Sequence, residues 1–468
     1  MVQESGKRVY EVLQKLGPKE QATVLIQTRA RSVDEEEARA ALEMLQSERL
    51  ATRRSELLRH VQTRRYGKGA EFHKNYKESR LEAQQNIVRV APKGKATNLW
   101  LADAVAVQAT KEELEDLAQH EDVRNVIANP TFKVPEVLRT PLEDVLSNVD
   151  GSTWGLAQIR APEVWSGLGR GHGVLVGHLD TGVDDTHPAL AGKVQCFFDV
   201  DDMGNCTPVA PHDTDIHGTH TAGTIVGRSF NGVNIGVAPE ARLCSAVVLP
   251  GGSGSFSQIL GGMQCLMDSG VHVMNLSLGA NGYSTIWNTP ILNITLSGIS
   301  VVASIGNAGA GTSGGPGNDF FAMGVGATGL GFTRVYKEES FNDAVAGFSS
   351  GQTLVDVPYE LPFGTFFLTY IKPDISAPGV QVLSSIPGGD IAALNGTSMA
   401  APHVSGSIAL VLSAMPDLIG TPGVAFILRD IFLGAGREDL GEAGRDSRYG
   451  YGRLDVLAAA EAAVSLLS

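Results

Sequence analysis

Read as a string of apolar and polar positions, the chain changes texture near residue 150. Before that point charged residues are frequent and glycine is scarce. Beyond it, short apolar runs alternate with glycine-rich turns. In the first stretch, Ala22-Thr23-Val24-Leu25-Ile26 predicts a strand. Ser32 with Glu35 forms a capping box ahead of a stretch in which Ala38, Leu42 and Leu45 share one helical face. Ala104 to Val107 predicts a second strand. Thr110 with Glu113 opens a second helix through Leu114 and Leu117, and Val123 to Ile127 gives a third strand. This order suits a small α+β, ferredoxin-like unit with its helices on one face of an antiparallel sheet. The segment from Pro130 to Gly151, with prolines and mixed charge, predicts an extended linker.

The second stretch has the period of an α/β fold. Val174 to Leu179, Leu243 to Leu249, Val271 to Leu276, Val301 to Ile305 and Met323 to Ala327 are short apolar runs, as fully buried strands require. Helical patterns such as Phe256 to Met267 lie between several of them. A parallel sheet with helices on both faces follows, and such sheets collect chemistry at the carboxyl ends of their strands.

Composition narrows the picture only a little. A formal net charge of −14 over 468 residues disfavours nucleic acid or an anionic membrane surface as the main partner. No apolar run is long enough to span a bilayer, and Met1 to Arg8 is polar and leads into no secretory signal. The chain as written therefore reads as cytoplasmic, or as secreted if a leader precedes it. Cys244 and Cys265, in apolar strand-like and helix-like settings, read as buried thiols. Cys196 and Cys206 flank a short loop and are spaced to close a small ring.

Chemistry enters with three motifs in sequence order. Asp180 ends an apolar strand in Leu179-Asp180-Thr181-Gly182. His217 opens a small-residue helix in His217-Gly218-Thr219-His220. Ser398 enters another helix in Asn395-Gly396-Thr397-Ser398-Met399-Ala400. A serine hydroxyl needs a neighbouring base to take its proton as it attacks. Histidine suits that role near neutral pH, and an aspartate on its far nitrogen fixes the tautomer and stabilises the imidazolium. Asn307, after an apolar strand in Ser304-Ile305-Gly306-Asn307, is placed to donate to an oxyanion together with the Ser398 backbone N–H. A lone Asp-Thr-Gly is usually a turn and a lone Gly-Thr-Ser usually a cap; the set in order is what carries the reading.

These motifs resemble those of the subtilisin family, and the resemblance extends over nearly the whole chain. It implies a serine endopeptidase with Asp180, His217 and Ser398 as the triad and Asn307 in the oxyanion hole. Gly252-Ser253-Gly254-Ser255-Phe256 resembles the strand that pairs with substrate backbone, Ser277-Leu278-Gly279 the opposite wall, and Gly306 lies beside them. By the same resemblance, residues 1–130 are an inhibitory, fold-assisting prodomain and 131–152 a linker holding the self-cleavage bond. Residues 153–468 are the catalytic domain, from Trp154 to Ile159 at its start to the last helix near Gly450 to Ala460. The implied partners are polypeptide substrates and the chain's own prodomain, and the molecule reads as a monomer. The alternative is a protease held by its prodomain in a stable complex that acts as a regulated or binding module.

Other features take plainer readings. His178, His220 and His403 read as packing or capping residues, and Met399 as a packing residue open to oxidation. Family members often bind calcium through an aspartate after the first motif and an asparagine after the histidine helix. Ala189 and Phe230 stand there instead, so no metal or other cofactor is expected. The acidic run Asp199, Asp201, Asp202 reads as a solvated loop. Ala308 after Asn307, with no acid between Ser304 and Gly309, favours apolar side chains in the primary pocket. Gly351 to Lys372, with Phe363, Phe366 and Phe367, predicts an inserted hairpin on a core edge or against substrate.

Overall fold

The computed structural model describes residues 17, 20–28, 69–135, 137–142, 151–332, 341–361, 364–421 and 423–467. The helix expected around Ala38, Leu42 and Leu45 lies outside them, as does Phe363.

Near the N-terminus, β1 (Gln21–Thr28), β2 (Ala96–Leu99), β3 (Ala104–Thr110) and β4 (Val123–Ala128) form an antiparallel sheet in the order β2-β3-β1-β4. The pleat sends alternate residues to opposite faces. Val24, Ile26, Val105, Val107 and Val126 meet Ile87, Leu114 and Leu117, from the helices α1 (Gly69–Val90) and α2 (Lys111–Leu117). Leu25, Leu99, Ala104, Ala106 and Ile127 face the other way and belong to the core of the larger body. Two buried faces explain why Val24-Leu25-Ile26 is apolar without alternation. The capping box at α2 forms as expected, the Thr110 N–H donating to Glu113 Oε2 at 2.7 Å. Helix α1 gave no sequence signal: it is rich in charge and polar around most of its circumference.

In the larger body, Ile375–Pro378, Met323–Phe332, Ser300–Ser304, Val273–Leu276, Leu175–Asp180, Arg242–Val247 and Val194–Val200 run parallel, in that spatial order, within an eleven-stranded sheet. Helices cover both faces. On one side Gly177 and Leu179 meet the helix Phe256–Asp268, where a Cβ on Gly177 would sit 3.2 Å from Leu266. On the other, His178 reaches Thr221 of His217–Val226, and Asn275 accepts a hydrogen bond from Ser405 of Thr397–Ala414. No helix among the described residues is long and apolar enough to cross a membrane.

The cysteines correct the sequence reading. Cys196 is bonded to Cys244 and Cys206 to Cys265, so Cys244 and Cys265 are not free thiols and Cys196 and Cys206 do not close a ring. The register explains this: Cys196 and Cys244 are direct neighbours on adjacent parallel strands. Cys206 starts the strand Cys206–Pro208 at the sheet edge, beside the helix that carries Cys265. The stretch 351–372 is a hairpin, Gln352–Leu361 against Gly364–Lys372, that covers a core edge with buried Tyr359 and Tyr370.

The Cys206–Cys265 bond closes a separation of 59 residues. Replacing both cysteines by serine is expected to cost about 2–4 kcal/mol, read as a lower Tm in thermal melts. A melt identical to the parent's would argue against the pairing.

Candidate active site

Asp180 ends the strand Leu175–Asp180, His217 opens the helix His217–Val226, and Ser398 is the second residue of the helix Thr397–Ala414. All three are fully buried. His217 Nδ1 lies 2.7 Å from Asp180 Oδ1, which also accepts the Thr181 N–H at 2.8 Å. Asp180 Oδ2 accepts the Thr221 hydroxyl at 3.0 Å. That spends the Thr221 proton, so its oxygen accepts from His178 Nε2, 2.8 Å away, and His178 Nδ1 is left to accept from Ser245 Oγ at 2.9 Å.

Burial pushes the histidines apart in character. His178, His220 and His403 are pushed down to about 4, about 3 and about 4, which keeps them neutral. His220 Nε2 donates to the carbonyls of Val382 and Ala392, and His403 Nδ1 bonds to the Met399 carbonyl, so both brace the fold. His217 goes the other way. Burial favours its neutral form, yet the Asp180 charge and hydrogen bond, with help from Asp213 and Asp215, hold it above the ordinary imidazole value. Asp180 is likewise buried, but the His217 ring and the Thr181 N–H hold its carboxyl below the usual range.

Close packing makes this assembly possible. A Cβ on Gly218 would sit 2.1 Å from the Gly182 carbonyl, so only glycine lets the helix abut the aspartate turn. Asp213 accepts the Thr219 N–H at 2.7 Å and the Thr181 hydroxyl at 2.8 Å, tying turn to helix. Sequence reasoning missed Asp213, Thr221 and Thr397. Asp213 lies four residues ahead of the helix start, three before the N-cap Ile216, where no capping pattern points to it.

Asn307 follows the strand Ser300–Ser304, and its Oδ1 accepts both the Thr397 N–H at 3.0 Å and the Thr397 hydroxyl at 2.8 Å. Thr397 in turn accepts the Gly306 N–H at 3.2 Å. The amide orientation is thereby fixed, with Nδ2 directed toward Gly396, where a Cβ would come within 3.4 Å of it. Ser398 Oγ does not meet His217. It donates to the Ser277 carbonyl at 3.2 Å, and His217 Nε2 has no hydrogen-bond partner among the described residues.

Where it is described, the expected linker is no slack tether. Thr131–Lys133 pairs antiparallel with Ser253–Ser255, the Val134 N–H donates to the Gly252 carbonyl at 2.9 Å, and Lys133 bridges Gly279 on the opposite wall. Phe132 is buried with its ring 6.0 Å from that of Phe256 and 5.1 Å from Trp287. Beyond the serine, Leu138–Thr140 pairs with Asp390–Asn395, and Asn395 Nδ2 donates to the Leu138 carbonyl at 2.7 Å. Gly252, Ser253, Gly254, Phe256, Ser277, Leu278, Gly279 and Gly306 are thus brought around one groove, with residues 131–135 and 137–140 lying along it. A Cβ on Gly254 would fall 1.8 Å from the Val248 carbonyl, so the strand edge must be bare there. Leu278, Gly279, Ala280, Ser304, Gly306 and Asn307 help line a cavity of about 320 Å³ that Pro135 adjoins, with no acidic side chain in its lining.

At the expected calcium position two loop carbonyls are already engaged. The Ala189 carbonyl accepts the Arg228 N–H at 3.0 Å, Arg228 Nη1 donates to the Ala191 carbonyl, and the Phe230 ring lies 5.0 Å from that of His187. Asp201 turns its carboxylate onto Met203 and Asn205 of its own loop.

Asp215 Oδ1 accepts the N–H groups of Ile216 and His217, a role asparagine retains. Asp215→Asn should therefore lower the His217 titration midpoint without disturbing the helix start. Histidine NMR on the full chain in a Ser398→Ala background reads this shift, which should shrink in high salt. An unmoved midpoint would exclude the charge of Asp215 as a contributor.

Comparison with known proteins agrees with this geometry. The Subtilase family model matches residues 171–452. The alkaline protease of Alkalihalobacillus alcalophilus is 34% identical over 328 residues, covering 67% of this chain and 76% of that protein. Subtilisin Savinase of Lederbergia lenta is 38% identical over 267 residues, covering 56% and 85%. Subtilisin E of Bacillus subtilis (strain 168) is 34% identical over 269 residues, covering 56% and 61%. With a strand-end aspartate bonded to a helix-start histidine, a serine at a helix start and this match over most of the larger body, the chain belongs to the subtilase family and is a subtilisin-like serine endopeptidase.

Proposed function

We propose that the chain is a latent endopeptidase that processes itself, with Asp180, His217 and Ser398 as its triad and Asn307 and the Ser398 N–H as its oxyanion donors. The observation that carries this reading is the 2.7 Å bond between buried His217 and Asp180, with Ser398 at a helix start nearby. Ser398 Oγ bonds to the peptide carbon as its proton passes to His217 Nε2. The carbon–nitrogen bond then breaks as that proton goes to the departing amine, and water releases the acid by the reverse transfer. Asp180 keeps the Nδ1 proton and balances the imidazolium charge.

The N-terminal region acts as inhibitor in this reading. Besides the pairing of residues 131–140, Asn129 exchanges hydrogen bonds with Ser257, Gln264 bonds the backbone of Asn98 and Leu101, and Lys77 pairs with Asp268 at 2.6 Å. A stable inhibited complex is the second reading, favoured by the pairing of both Thr131–Lys133 and Leu138–Thr140 along the groove.

Intact-mass measurement on purified full-length protein separates the two. Wild type should lose an N-terminal fragment by cleavage within residues 131–152, and Ser398→Ala should stay whole. A wild type that never changes mass favours the stable complex. In processed enzyme, Asn307→Ala should lower kcat by ~10²–10³, a magnitude carried over from the loss of such a donor in a subtilisin rather than obtained from this geometry. Full activity in that variant removes Asn307 from the oxyanion hole.

We further infer that no calcium braces the loop at Ala189, because Ala189 and Phe230 bring no side-chain oxygen and Arg228 already donates to the Ala189 and Ala191 carbonyls. The Tm should be the same in calcium and in chelator; a strong rise with calcium would refute this.

A further inference from the structure

The hydroxyl of Ser398 is turned away from its base, and its partner is informative. It donates to the backbone carbonyl of Ser277, on the wall that Lys133 joins through Gly279. In an antiparallel pairing each step forward on one strand is a step back on the other. Continued two residues on from the Lys133–Gly279 bridge, that register sets Pro135 against Ser277. Every other residue type would bring an N–H to that place. Proline has none. A carbonyl inside a buried groove must find a donor, and the Ser398 hydroxyl supplies it.

We propose that the Ser277 carbonyl is a positioning group that holds Ser398 off His217 until a bound chain offers an N–H, and that Pro135 keeps the enzyme disarmed by withholding one. This rests on the self-processing protease reading. One hydroxyl proton cannot serve Ser277 and His217 together. A substrate residue opposite Ser277 takes the carbonyl with its own N–H. The hydroxyl is then free to swing to His217 Nε2, which otherwise lacks a partner. Arming the nucleophile and recognising the substrate backbone become one event. Proline at that position is bound in register and cut slowly, because the step that cuts it starts from the wrong rotamer.

The neighbouring contacts favour a lock over a poor fit. Phe132 is seated between Phe256 and Trp287, Val134 is hydrogen-bonded to Gly252, and Leu138 is held by Asn395. The segment is well anchored on both sides of the serine, and the missing N–H falls between the anchors.

The test uses the full-length chain and follows its mass with time. Pro135→Ala and Pro135→Gly differ in size and backbone freedom but both restore the N–H. Each should raise the rate of cleavage within residues 131–140 about tenfold or more over wild type, the scale of one hydrogen bond. Val134→Ala and Lys133→Ala trim groove-bound side chains without changing the N–H at position 135, and should accelerate cleavage less than either Pro135 variant does. The rate in Pro135→Ala should climb with pH through the titration of His217, as a base-assisted step does and a loosened contact does not. Equal rates in wild type, Pro135→Ala and Pro135→Gly would overturn the proposal. So would equal acceleration by Val134→Ala, which would point to weakened docking alone. If no variant cleaves itself or takes a fluorophosphonate label, the self-processing reading fails instead.

Discussion

The Asp180 carboxylate has no access to solvent, and much of the catalytic half is arranged so that it can remain charged there. An isolated buried carboxylate would sooner protonate than stay ionised. Asp180 escapes this through donors from several elements: Thr181 from its own turn, His217 and Thr221 from one helix, with His178 behind Thr221 on its own strand. Meeting those donors demands that helix and turn approach to backbone contact, hence Gly218 against Gly182. It also demands that the strand end inside the sheet rather than at its rim. The same charge then sets the histidine's basicity, so the constraint that shapes the packing also tunes the chemistry.

A second layer of order comes from the groove. Its two walls present unpaired backbone on both sides of the serine, and such edges are taken up by any extended chain of suitable sequence. Here the chain supplies its own. The N-terminal sheet positions that segment by packing its second apolar face into the core of the larger body, so the two share one continuous interior. That shared core explains how a segment with few side-chain anchors stays in register.

Much of this was legible in the sequence, for reasons that differ from element to element. The buried parallel strands announced themselves as short apolar runs, and the capping box at Thr110 gave the start of its helix. The three motifs around Asp180, His217 and Ser398 were readable because each carries small neighbours in a fixed order, Gly218 and Gly396 among them. What escaped notice depends on tertiary partners. Helix α1 is mostly polar and is helical because it packs on a sheet. Thr397 and Thr221 matter through the groups they orient. The disulfides joined strands and a helix distant in sequence, which spacing alone cannot reveal. Residues 131–140 looked like a tether because prolines and charges mimic one; their pairing partners lie more than a hundred residues away.

The strand Leu138–Thr140 has a topological consequence. Any cut between Val134 and Leu138 would divide the groove segment unequally: the upstream piece would be free to diffuse, whereas the downstream piece would still be part of the larger body's own chain. It lies beside Asp390–Asn395, the strand that leads directly into Ser398. A tethered competitor acts at an effective concentration far above that of dissolved peptides. The enzyme's new N-terminus would therefore contend with the leaving half of each substrate until it is trimmed or withdraws. Maturation would then end with the departure of that short strand, after the bond is already broken.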